Sequence, residues 1–282
     1  MIADKIKNYL DNSDKTINEE LIKSYFERYS DSVKRQFMQD RESTPGKMYT
    51  TLVTKKCARQ SAYKYLGFKA EPISARGKLN FFNGDLIEHT MLMLAELAGC
   101  PIKRNNERLE IWMQGTTEDY CIPCKPDGLY EEGGKFYNVE VKKMSDYIYE
   151  EWEEGTLSDD WGYRSQAMME CEAWKQKGVP VLGTVFLGVK GLTGNFREEV
   201  IPYEPSLVKE TCKRAVAVSN ATQATLPERG YLPQVETYYK KPTGYLKLPI
   251  PCSYCDFKAV CWPDFKVEVN KSGRPVWRKK ND

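Results

Sequence analysis

The chain has 282 residues, with 41% hydrophobic and 29% charged side chains and a formal net charge of +2. Those values fit an ordinary globular α/β-sized protein and exclude a disordered, fibrous or strongly polyanion-attracting chain. No apolar run reaches the roughly 20 residues of a membrane helix, and the N-terminal MIADKIKNYLDNSDK lacks the pattern of a secretory signal, so a cytoplasmic protein with no membrane partner is expected.

Residues 1–45 are polar with apolar side chains at helical spacing (Leu21, Ile22, Tyr25, Phe26, Tyr29), which predicts one or two amphipathic helices. A further helix is predicted over 52–66, and 74–82 reads as a loop. Asp85 after Gly84 then opens a helix that ends at Gly99. Segments 109–112 and 120–122 read as short strands. The clearest strand is 136–143, where Tyr137, Val139 and Val141 alternate with Asn138, Glu140 and Lys142, the period-two pattern of a half-buried strand. A helix over 160–176, a buried strand over 181–189 and a helix over 206–222 follow. Beyond them, 266–280 reads as a hairpin around 270–273. The strand, helix, strand order favours an α/β core.

Asp127 lies thirteen residues ahead of Glu140, and a turn at Glu131, Glu132, Gly133 and Gly134 makes a hairpin that brings the two carboxylates together at one end of a sheet. Carboxylates at close range repel each other unless a cation neutralises them, and oxygen ligands suit Mg²⁺ or Mn²⁺. Lys142, one pleat along on the same face, is placed to orient an attacking water. Together these groups suit hydrolysis of a phosphodiester.

The order of these residues resembles the PD-(D/E)XK nucleases, in particular the RecB-like exonucleases. That resemblance implies a restriction-endonuclease-like core with a mixed central sheet. It also implies metal-dependent cleavage of DNA, at ends or in single strands, with Asp127, Glu140, Lys142 and Gln166 at the catalytic centre. The resemblance makes His89, the only histidine, a further metal ligand beside Asp127, Glu140 and the backbone carbonyl of Val141. Where the family carries a tyrosine four residues after the glutamine, this chain has Glu170. The competing function is a catalytically weak DNA-binding or recombination-complex subunit that keeps the fold.

Nine cysteines are many for a cytoplasmic protein, where metal or cluster ligation is a better first reading than disulfides. Cys252, Cys255 and Cys261 form a compact Cys-x2-Cys-x5-Cys segment, and the fourth ligand must come from elsewhere. Cys57 upstream of the nuclease motifs plus three C-terminal thiols resembles the [4Fe–4S] staple of AddB-like and CRISPR-associated RecB-like exonucleases. A Cys₄ set holds Zn²⁺ equally well, and a zinc site from Cys121, Cys124, Cys252 and Cys255 is the rival arrangement. Cys100, Cys171 and Cys212 read as helix-face core thiols.

DNA is the expected partner, with recombination or CRISPR-adaptation proteins implied by the resemblance. Basic clusters at Lys55, Lys56, Arg59 and Lys64, and at Arg274, Arg278, Lys279 and Lys280, are candidate phosphate contacts. Tyr147, Tyr149, Trp152, Trp161 and Tyr163 are candidates for base stacking or for packing. The acidic run Glu150, Glu151, Glu153 and Glu154 is expected to face solvent. The expected organisation is a helical region over 1–50, a nuclease domain over 51–265 closed by the cysteine site, and a basic hairpin or tail over 266–282.

Overall fold

A computed structural model describes residues 1–12, 18–39, 44–104, 107–113, 120–191, 193–273 and 275–280. Helices α1 (Ile2–Asp11) and α2 (Glu19–Val33) open the chain, and α2 runs into a π-helical turn at Lys34–Met38. Then come α3 (Thr50–Val53), α4 (Ala58–Tyr65) and the long α5 (Ala75–Leu97). Strands β1 (Ile102–Lys103), β2 (Leu109–Met113), β3 (Tyr120–Cys124), β4 (Gly128–Glu132) and β5 (Lys135–Met144) follow. Next are α6 (Asp146–Glu154), α7 (Tyr163–Gln176), β6 (Val181–Lys190), β7 (Phe196–Pro202) and α8 (Pro205–Ser219). The chain closes with β8 (Gln234–Tyr238), β9 (Lys241–Lys247), α9 (Ile250–Ser253), α10 (Lys258–Cys261), β10 (Lys266–Val269) and β11 (Pro275–Lys280).

The chain forms two compact units. One comprises 1–42, 48–54 and 74–213; the other comprises 43–47, 55–73 and 214–282. Both are discontinuous in sequence, so they differ from the linear three-part division expected above. Among the described residues no helix is long and apolar enough to cross a membrane.

The first unit is built on a mixed five-stranded sheet ordered β1-β4-β5-β6-β7. β4 and β5 are an antiparallel hairpin, β5 and β6 are parallel, and β7 returns antiparallel. The parallel step needs a crossover, and α6 and α7 supply it. The turn between β4 and β5 is the pair Gly133-Gly134, at φ 59° and 73°, the left-handed conformation that two-residue hairpin turns require. Glu131 and Glu132, expected in that turn, belong to β4.

Both faces of β5 are covered. Val139 and Val141 pack on Met91, Leu92 and Ala95 of α5, in a core that also takes in Ile2, Ile6 and Tyr25. The opposite face carries Asn138 and Glu140, both fully buried, and contacts α7. The half-buried strand expected from the alternation is therefore buried on both sides, its polar stripe sealed under a helix.

The expected loop over 74–82 is helix. Ser74 caps α5 by accepting from the Gly77 backbone N–H at 3.1 Å, and Phe82 packs edge-to-face on Phe37 at 5.1 Å. Asp85, expected to start the helix, sits three turns in and binds Arg35 and Gln36 at 2.9 and 2.6 Å. The single helix expected over 52–66 is two, α3 and α4, divided at 54–57, where the chain passes from one compact unit to the other. β2 and β3 form a separate two-stranded sheet.

In the second unit β10-β11-β9-β8 make an antiparallel sheet. The expected C-terminal hairpin is there, whereas β8 and β9 had no clear sequence signal. A core of Tyr63, Leu248, Phe257, Trp262 and Phe265 packs around Cys252 and Cys261.

Candidate active site and cysteine site

The β4–β5 register places Gly128 opposite Val139, so the next residue back, Asp127, stands across from Glu140. Gly128 is needed there because a Cβ would lie 2.2 Å from the Ile102 side chain on β1. Asp127 Oδ2 accepts the Val141 backbone N–H at 2.8 Å, which ties the loop end to the strand. Lys142 Nζ forms an ion pair with Glu140 Oε1, and Gln166 Nε2 donates to the same oxygen at 2.9 Å. The second oxygen of Glu140 is buried without a hydrogen-bond partner.

Burial pushes Asp127 well above the usual carboxylate range, and Glu88 and Glu140 add to it. Burial and the neighbouring Glu170 do the same to Glu140. Burial opposes the charge on Lys142, yet Glu140, Asp127 and Glu170 outweigh it and raise the ammonium above its ordinary value. The three carboxyls of Asp127, Glu140 and Glu170 thus outnumber the one lysine, and burial with mutual repulsion favours their protonated forms over the charged ones.

His89 is 6% exposed and shares a 3.1 Å hydrogen bond between its Nε2 and Ser32 Oγ. Burial lowers it to about 4, so the imidazole is neutral near pH 7, and its Nδ1 is buried with no hydrogen-bond partner. Its nearest acid is Glu88, with Oε1 3.9 Å from Nδ1. Among the described residues no three His, Cys, Asp or Glu side chains converge on a single ion position. The structure therefore brings Asp127, Glu140, Lys142 and Gln166 together, and places His89 beside Ser32, Tyr29 and Glu88.

Two acids had no assigned role in the sequence. Glu88 acts electrostatically on Asp127, and burial raises its own carboxyl. Its signal was its position beside His89, three residues after Asp85 on one side of a helix. Glu170, where a tyrosine was expected, is 1% exposed and accepts from Gln166 at 2.9 Å and from Asn138 at 3.0 Å. Burial pushes it up to about 7.

Of the aromatic candidates, Tyr149 and Trp152 are buried core, Tyr147 is exposed, and Tyr163 lies against Phe186 within electrostatic reach of Lys142 and Glu140. Glu150, Glu151, Glu153 and Glu154 are exposed as expected. Arg278, a candidate phosphate contact, is instead committed to Glu236 and Glu268 and stacked over Tyr245. Arg274 lies outside the described residues. Lys55, Lys56 and Lys64 are exposed.

All nine cysteines are free. Cys57, Cys252, Cys255 and Cys261 line one pocket of the second unit, together with Tyr63 and Trp262. Burial raises Cys252 to about 11 and Cys255 to about 12, while Trp262 beside Cys252 and the Phe257 N–H at 3.5 Å from Cys255 Sγ favour the thiolate. Cys121 and Cys124 lie on β3. Three residues apart on a strand, they project from opposite faces and do not converge as a Cys-x2-Cys turn does. Cys171 and Cys212 are on helices, whereas Cys100 sits just past the end of α5.

No family model matches the chain, and no curated protein is similar to it. Among solved structures, the crystal structure of SSO0001 is similar over 83% of this chain and 94% of that one, with a TM-score of 0.50 and 13% identity. At that identity the likeness concerns the fold alone.

Proposed function

We propose that the chain is a Mg²⁺- or Mn²⁺-dependent deoxyribonuclease with a restriction-endonuclease-like core of the PD-(D/E)XK type. The observation that carries this reading is Asp127 across from Glu140, with Glu140 Oε2 buried and unpartnered beside Lys142. A buried carboxylate oxygen with no donor costs about 1–3 kcal/mol, a penalty that a cation removes. Asp127 and Glu140 fit a hard divalent ion, with the Val141 carbonyl next along β5; the unused Nδ1 of His89 on α5 has Glu88, not either of these acids, as its nearest carboxylate. When bound, such an ion stabilises charge that develops on a phosphate and lowers the pKa of water.

The chain's own groups do the rest. Lys142 holds a positive charge beside the carboxylates, where it orients the attacking water and faces the phosphate. Gln166 fixes Glu140 in one rotamer. The cover of α7 over β5 keeps bulk water from Glu140, which strengthens its charge interactions. The resemblance stated above adds free ends or single strands of DNA as the substrate.

The four pocket-lining cysteines are assigned to a [4Fe–4S] cluster, on the resemblance of their order along the chain and on their sharing one pocket. A cluster takes each thiolate on a different iron, and Zn²⁺ is the alternative occupant. A cluster here closes a long sequence loop between Cys57 and Cys252, a crosslink that stabilises chiefly by restricting the unfolded chain.

End-labelled DNA digestion with Mg²⁺ or Mn²⁺ tests the catalytic claim. Asp127→Ala and Lys142→Ala are expected to lose about 10²-fold or more in rate while still binding DNA. Undiminished cleavage by either variant rejects the site.

A further inference from the structure

Gln166, Glu170 and Trp174 recur every four residues along α7 and so share one stripe of the helix. Asn138 and Glu140 share one face of β5. The two stripes meet in a chain of hydrogen bonds, buried at Asn138, Glu170 and Trp174 and half-buried at Gln166. Trp174 Nε1 donates to Asn138 Oδ1 at 3.1 Å. Asn138 Nδ2 donates to Glu170 Oε2 at 3.0 Å and to Thr184 Oγ1 at 3.3 Å. Gln166 Nε2 donates to Glu170 Oε1 and to Glu140 Oε1, both at 2.9 Å.

This chain has only one polarity. An indole N–H donates and never accepts, so the Asn138 oxygen must face Trp174 and its NH₂ must face Glu170. A carboxylate accepts at both oxygens, so the Gln166 NH₂ must face Glu170 and Glu140. The series ends on Glu140 Oε1, which Lys142 also holds, and leaves Oε2 as the oxygen without a partner.

Resting on the metal-site reading above, we infer that Glu170, locked by Asn138 and Trp174, is a positioning residue that fixes which oxygen of Glu140 is presented to the cation. Glu170 touches neither substrate nor cation. It acts through Gln166 and through its own contact with the Glu140 carboxyl, and its carboxylate is required because only an acceptor at both ends satisfies two facing NH₂ groups.

Glu170→Gln puts an NH₂ against either Gln166 or Asn138, two donors face to face. Adding Asn138→Asp moves the carboxylate and the amide across the same bond, so every donor again meets an acceptor. Mn²⁺ alone, titrated into the full chain by calorimetry, is the probe. The Mn²⁺ dissociation constant is expected to rise about tenfold in Glu170→Gln and to return to within about threefold of wild type in the double exchange, as befits a group that orients a ligand. In cleavage, kcat is expected to fall while KM for DNA holds.

Wild-type affinity in Glu170→Gln overturns the inference, as does a folded double exchange that binds as weakly as the single variant. If Glu170→Gln does not fold, Trp174→Phe removes the locking donor while keeping the ring, and the same weakening is required of it. A wild-type chain that binds no Mn²⁺ overturns the nuclease reading and this inference with it. A wild-type chain that binds Mn²⁺ while the variants bind it equally well overturns this inference alone.

Discussion

Asp127→Asn is expected to stabilise the protein in the absence of cation and to destroy the stabilisation that cation brings. Asparagine keeps an oxygen to accept the Val141 N–H and removes only the charge. Cross-strand neighbours have Cβ atoms about 5 Å apart, so two carboxylates facing across β4 and β5 repel by about 3 kcal/mol at an effective dielectric of about 20. Lys142 offsets part of this, because it attracts both. The upward shift of Asp127 says that repulsion and burial win. A carboxyl raised in the folded state binds its proton more tightly folded than unfolded, so its cost to stability is absent at low pH and largest above the folded value. At pH 8 a gain of about 1–2 kcal/mol is expected, or about 3–6 °C in Tm for a chain of this size. Wild type should then gain about 2.7 kcal/mol from Mn²⁺ at a hundredfold excess over its dissociation constant, and the variant almost nothing. The assay is a pair of thermal melts for each protein, with EDTA and with Mn²⁺, and the order of stability should invert between them. A variant that melts below wild type in EDTA, or that gains as much from Mn²⁺, refutes the picture of a repulsive carboxylate pair awaiting a cation.

Two further outcomes follow from the same structure. His89 is held near 4 by burial against an ordinary 6.5, so the unfolded chain takes up the proton first as pH falls, and stability is lost between about 6.5 and 4. Urea unfolding of wild type against His89→Gln should show a difference that shrinks by up to about 3 kcal/mol across that window; a flat difference sinks the assignment of a neutral buried imidazole. For the cysteine site, anaerobically purified protein should absorb broadly near about 400 nm, and Cys57→Ser or Cys261→Ser should lose most of that band. Colourless wild-type protein carrying one zinc removes the cluster.

The sequence by itself determined a good deal. The alternation over 136–143 put Glu140 and Lys142 on one face, because a strand has no other way to arrange side chains two apart. Gly133 and Gly134 announced the hairpin, because paired left-handed residues are a local steric requirement. The hairpin then fixed Asp127 across from Glu140 without any knowledge of the rest of the chain. The cysteine spacing likewise pointed to Cys252, Cys255 and Cys261, and Cys57, which the resemblance implied as their fourth partner, lines the same pocket.

What only the tertiary structure decided is everything that depends on who covers whom. Period two cannot tell a solvated polar face from one sealed under a helix. The burial that raises Glu140 appears only when α7 lies on β5. The start of α5 looked like a loop because its support, the Phe37–Phe82 contact and the Arg35 and Gln36 bonds to Asp85, comes from residues about fifty positions away. Arg278 read as a free basic charge until folding set it between Glu236 and Glu268. Glu170 read as a mismatch; folding gave it Asn138 and Gln166 as donors. Local sequence sets side-chain direction along an element, while burial, and with it charge and pairing, is set by contacts between elements far apart in the chain.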